Sequence, residues 1–281
     1  MNAQRSSDSV SASSWRSARL FVTDEFAAPP VILRVDDSVI GTLGNFSAST
    51  GKAKSKKTFN VCAIVAAAMT GGTVLNYSAS LPPEKRRILY VDTEQSRFHC
   101  KRVLCRILRL AGLPTDVHPP LLEFLCLRGY ATKERLRKIE EAIYDLDDLG
   151  LVVIDGIRDL AHDINSPGEA TDLITKLMQW TDERRIHIHT VLHLNKGDDN
   201  TRGHLGTELN NKAETVLQIT KDDFDRDISS VAAMHIRDRD FEPFAFRIND
   251  DALPEPVEDY QPRPTSAARS FDYAEVCEAK H

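Results

Sequence analysis

Residues 45–69 read NFSASTGKAKSKKTFNVCAIVAAAM, and this stretch decides the fold. A strand pattern over Asn45–Thr50 runs into Gly51. A small, basic loop follows, and Lys57-Thr58 opens an apolar helix predicted over Lys57–Met69. Gly, four residues, then Gly-Lys-Ser/Thr is the pattern of a phosphate-binding loop. Counted from Gly51, the second Gly belongs at position 56, which is Lys56, followed by Lys57 and Thr58. The other Gly-Lys doublet, Gly51-Lys52, fails because residue 53 is Ala and residue 46 is Phe. Main-chain N–H groups from Gly51 through Ser55 and Lys56 into the helix start can cup a phosphate. Lys57 is placed to reach the β- and γ-phosphates and the Thr58 hydroxyl to hold Mg2+. Lys56 lacks glycine's freedom, so it must point outward or toward an anion. The plainer alternative is a basic, solvated loop, since Lys54, Lys56 and Lys57 fall within four residues.

Outward from that loop the chain alternates strands and helices. Strands are predicted at 45–50, 87–92, 122–127, 150–155, 187–194, 215–220, 230–236 and 244–248, and helices at 57–69, 95–111, 132–146, 167–185 and 205–211. Such alternation means an α/β fold with a mostly parallel central sheet flanked by helices. The late strands lack long helices between them, which predicts an antiparallel C-terminal edge. Residues 29–43 (PPVILRVDDSVIGTL) read as an N-terminal β-hairpin turning at Asp36-Asp37-Ser38. Three segments follow: a weakly ordered N-terminal segment (1–28), the α/β domain (29–250), and a Pro-rich linker and tail (251–281).

Composition narrows the function. Lys+Arg 36 against Asp+Glu 42 gives net charge −6, which argues against a whole-surface polyanion binder but permits a local basic stripe. The longest apolar run, Val61–Met69, is far too short for a membrane span, and the Ser-rich start lacks the apolar core of a secretory signal. Five cysteines without metal-ligand spacing read as reduced thiols of a cytoplasmic protein.

Four further clusters support the loop. In ILYVDTEQS, Asp92 ends a strand and Glu94 lies just past its tip, the edge where ligands bind in open parallel sheets. Asp92 suits the cap of the next helix, which leaves Glu94 to deprotonate a water. In LGLVVIDG, a continuous apolar run ends in Asp155, a fully buried central strand whose acid is placed to hold Mg2+ and accept from Thr58. In IHIHTVLH, His187 and His189 share a face and read as a surface or satisfied pair rather than a zinc site, whereas His193 suits a polar sensor of the γ-phosphate. In MHIRDRDF, Arg237 and Arg239 share a strand face, either as surface charges or as an arginine finger for a neighbouring subunit.

In this order the motifs resemble those of the RecA-fold P-loop ATPases, also called AAA-family ATPases, over about residues 29–249. The nearest branch is that of RepA-type hexameric replicative helicases of plasmids and mobile elements. The segments VLHLNK and RGHLGTEL resemble the stretches around the DNA-facing loop of that branch. The resemblance implies ATP and Mg2+, a homo-oligomer (hexamer or filament), and single-stranded DNA as partner, with Lys196 and Arg202 as the loop cations. It assigns Gly51, Ser55, Lys56, Lys57, Thr58 and Asp155 to nucleotide and metal, and Glu94, His193, Arg237 and Arg239 to catalysis. Recombination, repair or regulatory ATPases of the same fold are the alternative. A non-catalytic nucleotide-binding scaffold would not need both Glu94 and Asp155. A kinase would need an acceptor pocket and an arginine-rich lid, for which Arg97, Arg102 and Arg106 are helically spaced candidates.

Overall fold

The computed structural model describes residues 15–194, 203–258 and 260. The strands and helices, in chain order, are β1 (Val31–Val35), β2 (Ser38–Thr42), β3 (Phe46–Gly51), α1 (Lys57–Thr70), β4 (Thr73–Val74), β5 (Tyr77–Ala79), β6 (Arg87–Asp92), α2 (Arg97–Leu110), β7 (Leu122–Cys126), α3 (Thr132–Asp145), β8 (Leu149–Asp155), α4 (Pro167–Arg184), β9 (His187–His193), α5 (Gly203–Lys212), β10 (Thr215–Lys221), β11 (Ile228–Ile236), β12 (Phe244–Ile248) and β13 (Pro254–Pro256). Nine strands form the main sheet in the order β13-β12-β11-β10-β3-β9-β8-β6-β7. From β10 to β7 all neighbours are parallel, and β10 through β13 pair antiparallel. The predicted parallel sheet with an antiparallel C-terminal edge is therefore the observed one.

Alternation along β8 shows why the sheet is buried on both faces. Leu151 and Val153 join the core under α1 and α2, whereas Val152 and Ile154 join the core with Leu173, Leu177 and Trp180 of α4. The same parity puts Asp155 on the α1 face, and Tyr90 of β6 and Val191 of β9 belong to that face as well. The side of the sheet on which the site forms is thus fixed by counting residues.

Helix α1 is apolar all round because it is covered twice. Val61 through Ala68 are buried, with the main sheet beneath them and a small sheet, β2-β1-β5-β4, above. The predicted hairpin supplies β1 and β2 of that small sheet. Its strands β4 and β5 are too short to stand out in the sequence. At the other end, β13 extends the main sheet beyond residue 250, into the Pro-rich segment. Its prolines sit on an edge strand, where their missing N–H groups cost no ladder bond.

His187 and His189 form a buried pair rather than a surface one. Both are fully buried. The distances define one directional chain for neutral rings: Ser49 Oγ to His189 Nε2 (2.8 Å), His189 Nδ1 to Ser47 Oγ (2.8 Å), Ser47 Oγ to His187 Nε2 (2.7 Å), and His187 Nδ1 to the Thr42 carbonyl (2.9 Å). Each donor meets one acceptor, so the pair is satisfied only while both rings are uncharged. Burial pulls both imidazoles below their usual range, His189 to about 3.

Candidate functional site

Strand β3 delivers Gly51 to the C-terminal edge of the sheet, and the chain turns through residues 52–56 into α1. Gly51 cannot carry a side chain: a Cβ would meet the Ile219 carbonyl of β10 at 2.3 Å and Ser55 Oγ at 2.5 Å. Ser55 is buried beneath the loop, and its hydroxyl has no hydrogen-bond partner among the described residues. Lys56 adopts a left-handed backbone (φ 66°, ψ 28°), the conformation a glycine would supply without strain. Its Nζ reaches out of the loop to main-chain carbonyls of Arg226 and Asp227, the outward of the two courses expected for it.

Lys57 is 5 % exposed, and its Nζ donates to the Gly51 carbonyl at 2.8 Å and the Lys52 carbonyl at 2.9 Å. Burial lowers its ammonium to about 8, against the opposing pull of Asp155 and Glu94. Both partners are main-chain carbonyls of the loop itself. Thr58 Oγ1 donates to Asp155 Oδ2 at 2.9 Å, so the helix start and the tip of β8 meet as the sequence predicted.

Asp155 has a second donor that the sequence reading missed. The Tyr90 hydroxyl reaches the same Oδ2 at 2.9 Å. The signal was available, since Tyr90 lies two residues before Asp92 and shares its face. Burial, then the charge of Asp92, raises the Asp155 carboxyl to about 6.

Asp92 closes the turn before α2. Its Oδ1 accepts from the N–H groups of Glu94 (3.0 Å) and Gln95 (2.7 Å), and its Oδ2 from the Gln95 amide at 2.8 Å. Helix α2 itself begins two residues later than predicted, at Arg97. Glu94 is left facing the site. His193 Nε2 lies 3.5 Å from Glu94 Oε1, and this contact, foremost, holds the glutamate below its usual carboxylate range. Gly156 makes the approach possible: at φ 103° it lies so near that a Cβ would meet Thr93 Oγ1 at 2.2 Å and Glu94 Cγ at 3.1 Å. The Asp-Gly pair at 155–156 was the signal for it.

Lys57, Thr58, Glu94, Asp155 and His193 thus line one cavity of about 390 Å3, together with Lys54, Lys56, Asp92, Gln95 and, along α1 and α2, Phe59, His99, Arg102 and Arg106. Arg106 is not a free lid arginine. Its guanidinium stacks 3.7 Å above the Phe59 ring and donates to the Ala252 carbonyl. The Thr58 hydroxyl and the Asp155 carboxylate are hard oxygen donors, so the residues present fit Mg2+.

Arg237 and Arg239 are not brought to this cavity. Strand β11 ends at Ile236, so neither lies on a strand, contrary to expectation. Ile236 pairs with Thr215, which pairs with Ser47, roughly 13 Å along β3 from Gly51 and at the opposite sheet edge. Arg237 donates to the Lys212 carbonyl at the end of α5, and Asp238 accepts from the Val39 N–H of the small sheet. Both arginines are exposed. Lys196 and Arg202 lie outside the described residues.

A mostly parallel sheet with a P-loop-like turn, a Thr58–Asp155 hydroxyl–carboxylate pair and an acid at one edge defines a RecA-fold P-loop ATPase. A family model described as an AAA domain matches residues 16–199, more than half of the chain, and the chain belongs to that family. Among solved structures, the crystal structure of the RadB recombinase is similar, with a TM-score of 0.53 and 16% identity over 77% of this chain and 92% of that one. At that identity the likeness concerns the fold. No curated protein matches. Among the described residues no helix is long and apolar enough to cross a membrane.

Proposed function

We propose that this chain binds and hydrolyses ATP with Mg2+ and uses the cycle to act on DNA as a helicase-like, self-assembling motor. One observation carries the catalytic part: Lys57, the Thr58–Asp155 pair and Glu94 converge on one cavity from three separate strand ends. Lys57 binds the β- and γ-phosphates, and the main-chain N–H groups at the start of α1 orient them. Thr58 and Asp155 would hold the metal, which would supply charge neutralisation at the phosphate oxygens. Glu94, ionised and facing the cavity, takes a proton from the attacking water as its oxygen bonds to the γ-phosphorus and the bond to the β–γ bridging oxygen breaks. His193 holds Glu94 in place and is positioned to register loss of the γ-phosphate.

The helicase subtype rests on the RepA-type resemblance of the motif order, and DNA contact would fall to Lys196 and Arg202. A recombination role is supported about as well, by the likeness to the RadB recombinase. Two assays separate them. ATP turnover stimulated by single-stranded DNA, with unwinding of a forked duplex, supports the helicase. Stimulation with strand exchange and no unwinding supports recombination. Turnover indifferent to DNA would remove DNA from the proposal.

A further inference from the structure

Lys56 breaks the loop pattern in a way that links two parts of the molecule. Its backbone supplies the left-handed turn, while its side chain crosses to the turn between β10 and β11. There Nζ donates to the Asp227 carbonyl at 2.5 Å and the Arg226 carbonyl at 3.3 Å. Gly51, at the other end of the loop, rests against Ile219 of β10 with no room for a Cβ. The phosphate loop is therefore gripped at both ends by one hairpin.

The turn is a built structure. Asp222 Oδ1 accepts from the N–H groups of Phe224 (2.8 Å) and Asp225 (2.9 Å), and Asp225 Oδ1 accepts from that of Asp227 (2.9 Å). A solvated surface lysine would pair loosely with these carboxylates. Lys56 instead bonds two successive main-chain carbonyls, which fixes its position relative to the turn. Burial pulls its ammonium below the usual value, more strongly than Asp227 raises it.

We propose that Lys56 is a positioning residue that tethers the phosphate loop to the β10–β11 turn, so that nucleotide in the loop and the conformation of residues 222–228 are coupled. The inference rests on the nucleotide-binding reading above. Filling the loop aligns the N–H groups around residue 56, and any shift of that backbone is carried by the side chain to the two carbonyls. Coupling is reciprocal: a partner that reshapes the turn changes nucleotide affinity by the same factor.

The test uses the full chain with ADP and Mg2+ as the probe. Calorimetry first establishes binding, and amide hydrogen exchange then follows residues 222–228 with and without ADP. In the native protein, saturation should change exchange in the turn at least about fivefold, the lower end of ordinary coupling. Lys56→Met, compared at its own ADP saturation whatever its affinity, should lose that response, and Lys56→Arg, which keeps a donor, should restore it. Lys56→Gly loses the tether but relieves the left-handed backbone, so it keeps the test decisive if the Met variant does not fold. A response of native size in the Met or Gly variant overturns the tether, as does a native protein that binds ADP without any response, or an Arg variant as silent as Met. A native protein that binds no ADP at all overturns the nucleotide-binding reading and the tether with it.

Discussion

The hydroxyl of Thr58 donates to Asp155 Oδ2 across 2.9 Å, joining the first turn of α1 to the tip of β8. With the Tyr90 hydroxyl on the same oxygen, Asp155 is a carboxylate held in place before any metal arrives. Holding it there has an energetic cost. Its carboxyl is raised to about 6 from 3.8, so the folded chain binds that proton more tightly than the unfolded chain. The associated stability is complete below pH 3.8 and is lost as pH rises through about 6. Asp155→Asn should therefore stabilise the nucleotide-free protein at pH 8, by up to about 3 kcal/mol, and progressively less toward pH 4. The same variant should need far more Mg2+ for turnover. Urea denaturation at both pH values checks the first statement, and no stabilisation at pH 8 contradicts it.

Lys57 predicts an alkaline limit to nucleotide binding. Burial lowers its ammonium to about 8, so above that pH a bound phosphate must first draw a proton back. Affinity for ATP should fall roughly tenfold per pH unit beyond about 8. Lys57→Arg, which keeps its charge, should lose this limb even if it binds more weakly overall. Lys57→Ala should abolish turnover at every pH. An unchanged alkaline limb in the Arg variant would place the titrating group elsewhere.

The buried histidines predict acid lability. His189 is depressed to about 3, so it is neutral in the folded state while the unfolded chain begins to protonate near 6.5. Stability is unaffected by this group above about pH 6.5 and falls from there toward pH 3. Between pH 7.5 and 5 His189 alone should remove about 2 kcal/mol. A glutamine reaching Ser47 and Ser49 does not titrate, so His189→Gln should flatten that part of the stability–pH curve. An unchanged slope would mean another group governs the acid transition.

Arg237 and Arg239 lie at the sheet edge opposite the phosphate loop, so any catalytic role must be played on a neighbour. A Lys57→Ala chain mixed with an Arg239→Ala chain should then recover part of the lost turnover, because one supplies an intact loop and the other an intact arginine. An arginine finger is worth about 10³–10⁵ in rate, so even partial recovery is measurable. No recovery, together with a monomeric mass in ATP, leaves both arginines in the surface roles they hold in the single chain.

What was legible in the sequence was set by local pattern. Strands β6 and β12 were placed to the residue, and β8 declared itself through LVVID because burial on both faces demands a continuous apolar run. Asp92 was expected to cap α2, but that helix starts at Arg97, and Asp92 closes the turn before it. What stayed hidden depends on tertiary contact. Strands β4 and β5 exist because α1 needs a second cover. Pro254–Pro256 reads as linker until β12 offers it an edge. His187 and His189 read as a surface or a satisfied pair, and only the placement of Ser47 and Ser49 on β3 decides for the satisfied one. Arg237 read as either a surface charge or a finger for a neighbour, and its direction within the chain is set by the end of α5, which no periodicity in its own segment records.

The central claim is that Glu94 is the base of an ATP-hydrolysing site. Glu94→Gln keeps the size of the side chain and removes its capacity to take a proton. The most direct measurement is steady-state ATP turnover of this variant beside the native protein, at nucleotide concentrations that saturate both. Turnover should be slowed at least about 100-fold, the lower bound for losing a positioned base, with ATP and Mg2+ still bound. Turnover at the native rate in Glu94→Gln would contradict it.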